Sequence, residues 1–327
     1  MHKTPFIRPL IRKTALATAM GLALATAAVA QEKPVVKILV GFPPGTGNDN
    51  LARMYGEALS DAIGVSTVVE NKPGAGGLIA TQALKQASPQ SNSLLFTLDH
   101  QVVMLPLITK NPGFDVKKDM VPVGRIVNFF TCLVVPGNSP VKDLPGYIES
   151  VRKSPTQGNV GIPAPGSQPH FLTYVLGQKY NLDLTAVPYR GWAPAVVDLV
   201  GGSLPAGIGP CNDLNEYKKA GKLRVLAVAS DKRYWAMPDV PTFGEFGFKM
   251  PADSFIGVYA AANLKPELLK QITDATRKMF DSPKTVAKFA STQMEPAYAG
   301  PDELRAIVEK NTEFWGEQVR KSNFQAQ

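Results

Sequence analysis

Cysteine and histidine are scarce in this chain: two cysteines and three histidines in 327 residues. No two of them stand at the spacing of a zinc motif, so metal chemistry is not the reading. Charged residues make up 19% and aromatics 8%, and no block of Lys or Arg stands out. A nucleic-acid partner therefore has no support. Past the first thirty residues no apolar run approaches the roughly 20 residues of a membrane-spanning helix. There is no G-x-S-x-G elbow and no Walker A lysine pattern. In Gly74-Ala75-Gly76-Gly77-Leu78-Ile79 an isoleucine stands where a dinucleotide fingerprint needs its third glycine. Nucleotide and dinucleotide sites lack their signatures, and no cofactor is expected.

Glycine and proline are plentiful instead, 28 of each, without a periodic repeat, which reads as many tight, fixed loops. The length exceeds what one core usually serves, so two lobes are expected. The first thirty residues have another character. Lys3, Arg8, Arg12 and Lys13 precede a small and apolar stretch from Thr14 to Val29, which closes on Ala28-Val29-Ala30. A basic start, a short apolar middle and an A-x-A end mark a cleaved secretory signal over residues 1–30. Its removal takes the formal charge from +8 to +4, since those four bases leave and no acid does. The chain is expected to be exported. Cys132 and Cys211 remain and are free to pair in an oxidising compartment, but their spacing does not say whether they do.

The remainder alternates between short β-branched runs and helical stripes. Val35–Val40 reads as a strand, followed by a loop to Asp49 and an amphipathic helix along Leu51, Met54, Tyr55, Ala58, Leu59 and Ala62. Asn48, Asp49 or Asn50 are its expected caps, and Gly64 closes it. Strands follow at 66–69 and 94–98, with a helix at 78–87 between them. A second unit repeats the scheme, with strands at 130–135, 159–162, 186–189 and 223–228 and helices at 144–152, from His170, and at 193–200. A strand at 254–259 and helices at 266–280, 283–291 and 301–321 finish the chain. Strand–loop–helix alternation implies an α/β fold whose sheets are open and mixed or parallel, with ligands bound beyond the carboxyl ends of the strands.

Several residues are candidates there. Asp49, Asp99 and Asp213 follow strands and are weak candidates for acid–base work. Ser167 and His170, three apart, suggest a nucleophile and base. However, Ser167 stands where a helix cap belongs and His170 opens the helix. What remains is a set of Gly, Ser and Thr loops in both lobes, suited to holding a small anion through neutral donors.

Taken in order, these residues resemble the tripartite tricarboxylate transporter substrate-binding proteins, also called the Bug family. The resemblance rests on Phe42-Pro43-Pro44-Gly45 with Asp49, Asn71-Lys72-Pro73-Gly74-Ala75-Gly76-Gly77, and Gly166-Ser167-x-x-His170. It continues through Val187-Pro188-Tyr189-Arg190-Gly191, Asp198-Leu199-Val200-Gly201-Gly202, Ala220-Gly221-Lys222-Leu223-Arg224 and Pro238-Asp239-Val240-Pro241-Thr242, and ends at Trp315-Gly316. It covers the whole mature chain. It implies a two-lobe periplasmic binding protein of Venus flytrap, type II-like form. One lobe would be residues 31–128 plus 229–327 and the other 129–228, with crossings near Ile126–Phe130 and Ala227–Ser230. The implied role is capture of a small organic carboxylate by a monomer, not an enzyme, and delivery to the permease subunits of a tripartite membrane transporter.

Carried over by position, the implied ligand residues are Phe42, Pro44, Gly45, Thr46, Gly47, Asn48 and Asp49 in the first lobe, and Gly166, Ser167 and Gln168 with the Tyr189-Arg190 pair in the second. Asp99, His100, Ala164, Trp192, Asn212 and Asp213 complete the candidate ligand residues. Three positions depart from the family pattern: Thr46 replaces a glycine, Gly209-Pro210-Cys211-Asn212-Asp213 replaces an acidic, apolar strand end, and Trp192 is bulky. Trp192 reads first as a cap on the second-lobe core. With Phe129 and Phe130 it also raises an aromatic or otherwise bulky carboxylate as ligand. The competing functions are a periplasmic hydrolase-like enzyme using Ser167 and His170, or a ligand-sensing partner of a membrane sensor kinase.

Overall fold

The computed structural model describes His2, residues 34–248 and residues 254–325. The expected signal segment lies outside the described residues apart from His2. Val35–Gln327 forms one compact unit, and no helix among the described residues is long and apolar enough to cross a membrane.

The strands of this unit fall into two mixed sheets. The first contains β1 (Val35–Val40), β2 (Ser66–Asn71), β3 (Ser93–Leu98), β4 (Met120–Phe129), β10 (Ser254–Ala261) and β11 (Glu295–Ala299). The second contains β5 (Thr131–Pro136), β6 (Asn159–Ile162), β7 (Thr185–Pro188), β8 (Ala206–Pro210) and β9 (Leu223–Val228). Their orders are β11-β4-β10-β3-β1-β2 and β7-β6-β8-β5-β9. In the first sheet β1 lies parallel to β2 and β3, while β10 runs antiparallel to β3 and β4. In the second, β6 lies parallel to β7 and β8, while β5 runs antiparallel to β8 and β9. Leaving edge strand β11 aside, both sheets share one plan of second-first-third-antiparallel-fourth strand.

Helices cover both sheets: α1 (Gly47–Ile63), α2 (Leu78–Lys85), α3 (Leu105–Ile108), α4 (Val116–Asp119), α5 (Leu144–Lys153), α6 (Gln168–Tyr180), α7 (Trp192–Gly201), α8 (Asn215–Lys219), α9 (Pro266–Met279), α10 (Pro283–Ala290) and α11 (Pro301–Lys321). Alternation along each strand divides the core. In β1, Val36, Ile38 and Val40 face a cluster with Tyr55 and Ile272. In β5, Cys132 and Val134 face a cluster with Trp192 and Leu199. Leu39, Leu133 and Val135 belong to a third cluster shared by both sheets, which also holds Tyr259 and Phe171.

Three strands have no counterpart in the sequence reading, each for a local reason. β4 carries Pro122 and Gly124, and Pro122 falls where the pairing with β10 slips register. β8 reads Ala-Gly-Ile-Gly-Pro, with too little side chain to signal a strand. Its glycines are required by a neighbour: a Cβ on Gly209 would lie 2.4 Å from the Trp192 ring. β11 reads Glu-Pro-Ala-Tyr-Ala and pairs only with β4. A fourth difference concerns α1. Thr46, not Asn48, Asp49 or Asn50, occupies its N-cap, with the hydroxyl accepting from the Asp49 N–H at 3.4 Å.

The chain passes from the first sheet to the second between Phe129 and Thr131 and starts back after Val228. The two crossings lie side by side, joined by the Ala229 N–H bond to the Thr131 carbonyl at 2.7 Å. Next to them, Cys132 on β5 and Cys211 just past β8 form a disulfide, with Cα atoms 5.2 Å apart.

Candidate functional site

In both sheets the strand order reverses direction between the first and third parallel strands. Crevices that hold ligands open at such points, outside the carboxyl ends of the strands. In the first sheet these ends are Val40 and Leu98, followed by the loop from Gly41 to Thr46 and by Asp99-His100. In the second they are Ile162 and Pro210, followed by the loop from Pro163 to Ser167 and by Cys211-Asn212-Asp213. The candidate residues 42–49, 99–100, 164–168 and 212–213 thus stand at the two switch points. Tyr189, Arg190 and Trp192 follow edge strand β7, one strand to the side.

The first loop is built around a buried carboxylate. Asp49, in the first turn of α1, accepts from the Gly45 N–H at 2.8 Å and from Asn71 Nδ2 at 2.9 Å. Arg53, one turn on, donates Nε and Nη2 to it, each at 3.0 Å. Asn71 also donates to the Phe42 carbonyl at 3.0 Å, which ties the start of the loop to the end of β2. Burial works against ionisation of Asp49, but the bonds from Arg53, Gly45 and Asn71 outweigh it and hold its pKa below the usual value. Asp49 shapes the loop and leaves Pro44 and Gly45 at the surface. The earliest amides of α1, Gly47 and Asn48, precede its first internal bonds and carry the positive end of the helix dipole.

The second loop is tied by neutral groups. Ser167 occupies the N-cap of α6, yet its hydroxyl donates to the Ala164 carbonyl at 2.7 Å rather than capping the helix. His170 Nδ1 accepts from the Gly166 N–H at 3.0 Å, and partial burial lowers its pKa. Serine and imidazole therefore both serve the loop backbone and make no nucleophile–base pair. Gly166 lies against Ile108 of α3 and Phe324, so close that a Cβ on it would stand 2.6 Å from the Ile108 side chain.

The two switch points meet through Gln168, the first residue of α6. Its Nε2 donates to Asp99 Oδ2 at 2.9 Å, and its Oε1 accepts from the Ser254 hydroxyl at 2.6 Å. Burial raises Asp99 to about 6, although Gln168, Ser254 and the N–H groups of His100 and Phe255 favour its charge. Desolvation depresses its neighbour His100 to about 4. A second bridge joins Asn215 Nδ2 to Gln293 Oε1 at 3.0 Å. Beside it lies a cleft of about 550 Å³, lined by Gly47, Asn50 and Arg53 of α1, by Asn212 and Asp213, and by Gln293. Clefts of this size suit a small metabolite.

The residues after β7 are placed differently. The Tyr189 hydroxyl donates to Asp198 at 2.6 Å, and burial together with that carboxylate raises its pKa to about 12. Arg190 is exposed and has no ion pair among the described residues. Trp192 is 6% exposed and Phe130 2%. The Trp192 ring lies over Gly207 and Gly209, and Phe130 packs on Tyr234 at 5.0 Å. Neither ring forms an open wall for a bulky ligand.

A model of the tripartite tricarboxylate transporter family receptor matches residues 51–324, a span that takes in the second sheet and all of the first but β1, and begins just past the first loop. The chain belongs to this family. Its relatives include Protein BugT of Bordetella pertussis (strain Tohama I), 30% identical over 319 residues, which are 94% of this chain and 98% of that one. The solved periplasmic binding protein BugD has a TM-score of 0.76 at 26% identity, covering 90% of this chain and 99% of BugD. R. palustris Rpa4515, solved with adipate, has a TM-score of 0.79 at 25% identity, over 90% of this chain and 98% of that one. The family is one of periplasmic solute-binding receptors, not enzymes, and the two-lobe α/β fold is theirs.

Three contributors to this site escape a sequence reading of the loops. Asn71 and Arg53 hold Asp49. The Asp49–Arg53 spacing of one helical turn is a signal for such a pair, but Asn71 is distant in sequence. Ser254, at the start of β10, fixes Gln168 only because that strand returns to the first sheet.

Proposed function

We propose that this receptor captures a small organic carboxylate, mono- or dicarboxylate, between its two lobes in the periplasm and hands it to the membrane subunits of a tripartite transporter. The lobes are taken as residues 31–128 with 229–327, and 129–228, after removal of the signal over residues 1–30. The observation that carries this reading is that both switch points face one another: Gln168 bridges to Asp99, and a cleft lined by the first turn of α1 and by Asn212 and Asp213 opens beside the Asn215–Gln293 bridge. In this reading the carboxylate is held by the Phe42–Asn48 loop, whose Gly47 lines the cleft, and by the Ala164–Gln168 loop. Asn212 and Asp213 border the cleft, and Tyr189 and Arg190 flank the second loop.

The magnitudes are adequate. Micromolar affinity is about −8 kcal/mol. Hydrogen bonds to a charged group contribute roughly 1.5–3 kcal/mol each, against several kcal/mol for association and closure. Some four to six such bonds suffice, without a buried arginine clamp. An extended aliphatic acid is favoured over an aromatic one, because Trp192 and Phe130 are committed to the core.

Calorimetric titration of the mature chain with adipate, shorter aliphatic diacids and monoacids, and phthalate tests the reading. Micromolar binding of an aliphatic acid, with a smaller radius of gyration in solution scattering, is the expected result. No heat and no compaction with any acid would refute it. Preference for phthalate would restore the aromatic reading.

A further inference from the structure

The turn that ends α11 is remote in sequence from the second loop but packs on it. α11 lies along β4 of the first sheet, and its Trp315 and Val319 belong to the core cluster shared by both sheets. A helix leaves its last four carbonyls without internal partners. One of these, on Lys321, is taken up from α6: the Tyr174 hydroxyl donates to it at 2.6 Å. Asn323 then stands at φ +55°, the left-handed position that closes many helices and that asparagine tolerates. The chain turns there, and Phe324 meets α6.

Phe324 is half-buried and stands edge-on to two rings of α6, His170 at 5.6 Å and Phe171 at 5.3 Å between centroids. Such edge-to-face pairs are favourable beyond the area they cover. The contact bears on the second loop twice. His170 is the residue whose Nδ1 accepts from the Gly166 N–H. Gly166 itself turns at φ +69° in a notch without room for a side chain, where a Cβ would lie 2.6 Å from Ile108 and 3.4 Å from Phe324. Both walls of that notch follow elements of the first sheet's half: Ile108 ends α3, shortly after β3, and Phe324 follows α11.

We propose that Phe324 is a positioning residue, the tip of a clasp by which the first lobe holds the Gly166–Ser167 turn of the second and favours the shut form of the receptor. Swinging α6 away from the first lobe bares the Phe324 ring to water and parts Tyr174 from Lys321. It also draws Gly166 out of its notch, so the second loop loses its walls as the lobes open. Together with the Gln168–Asp99 junction, the clasp sets what fraction of the receptor is shut before any ligand arrives. Exposing a half-buried phenylalanine shifts such an equilibrium about 10-fold. Losing one neutral hydrogen bond shifts it about 5-fold.

The clasp rests on the two-lobe fold and not on which acid is bound, so its test needs no ligand. Spin labels are attached at Lys153→Cys on α5 and Lys270→Cys on α9, both exposed, with the natural disulfide kept. Pulsed electron paramagnetic resonance on the ligand-free mature chain then gives the populations of short and long distances between the lobes. The natural chain is expected to show both. Phe324→Ala should lower the shut-to-open ratio about 10-fold, and Phe324→Leu should restore most of it. A ratio that folded Phe324→Ala leaves unchanged or raises overturns the proposal. It does so even if the urea midpoint falls, because the contact would then support the fold without acting on closure. A natural chain with a single distance overturns it as well. If Phe324→Ala does not fold, Tyr174→Phe, which removes one hydroxyl, decides in its place, with a drop of about 5-fold expected and an unchanged ratio fatal. Failure of every acid in the calorimetric panel would sink the carboxylate reading and leave this result untouched.

Discussion

After β1 the chain turns through residues 41–46 into α1, and after β6 it turns through residues 163–167 into α6. Both turns join a parallel strand to a helix N-terminus at a switch point, and each carries a glycine at positive φ, Gly45 exposed in the first and Gly166 buried in the second. Their internal ties differ. The first closes on the Asp49 carboxylate, with Arg53, Asn71 and the Gly45 N–H as donors. The second closes on the Ser167 hydroxyl and the His170 imidazole, one neutral bond each. Charge-assisted bonds are about twice as strong as neutral ones. The first loop is therefore a rigid shelf, whereas the second is held lightly and reaches across to Asp99.

Removing the shelf's carboxylate should produce the largest effect. Asp49→Ala leaves the Gly45 N–H, Asn71 and Arg53 without their acceptor. Arg53 is 49% exposed in its side chain, so solvent takes over much of its share. A loss of about 3 kcal/mol in urea unfolding is expected, with ligand affinity reduced about 100-fold. If the variant kept both its stability and its affinity, the difference between the two loops would disappear.

The junction itself should respond to pH, through two neighbours of opposite sign. Asp99 rises from 3.8 to about 6 on folding. Between those values the folded chain binds more protons than the unfolded one, so this group lowers stability as pH rises. His100 falls from 6.5 to about 4. In that window the unfolded chain binds more protons, so this group raises stability with pH. Each is worth at most about 3 kcal/mol, and the two nearly cancel between pH 4 and 6. The natural chain should show a flat stability profile there. Asp99→Asn should leave the histidine uncompensated and lose about 2 kcal/mol on acidification from pH 6.5 to 4. Chemical denaturation of both proteins across that range reads the difference, and a flat profile in the variant would contradict the assignment.

A third effect separates packing from polar ties. Gly209 faces the Trp192 ring, so Gly209→Ala forces a methyl into a site 2.4 Å from it. Overpacking of this kind costs about 2 kcal/mol. At Gly45 a Cβ would meet nothing within 4 Å, and only the φ of +81° opposes it, for about 1 kcal/mol. Equal losses at the two positions would mean that Trp192 moves aside readily, which would reopen the case for a bulky ligand.

The contrast also explains what was legible in the sequence. β1, β3, β6 and β9 carry β-branched or leucine-rich runs between turn residues, so they announce themselves. β4, β8 and β11 owe their strand state to partners and read as loops. At the site, glycine and proline marked the two turns, because turns need them locally. The bonds that fix those turns join residues far apart in sequence: Asn71 to Asp49, Gln168 to Asp99, Ser254 to Gln168. Periodicity carries no information about such pairs. The helix stripes were legible for the opposite reason, since their 3.6-residue repeat is written into adjacent turns.

The smallest expected effect concerns the residue that most resembles a nucleophile. Ser167 donates one neutral bond, to the Ala164 carbonyl, and Ala164 is half-buried, so water can replace the lost donor. Ser167→Ala should lower stability by about 1 kcal/mol and weaken ligand binding no more than about 10-fold. The α6 amides that follow it remain in place, and the His170 bond to Gly166 still holds the turn. A reaction depending on Ser167 would behave otherwise, because turnover of a bound acid or ester would vanish while affinity stayed. Incubating the natural chain with its ligand and analysing the acid by mass spectrometry separates the two cases: the acid should come back unchanged. Recovery of a cleaved product, lost in Ser167→Ala, would make the second loop a catalytic one and reverse the comparison between the two loops.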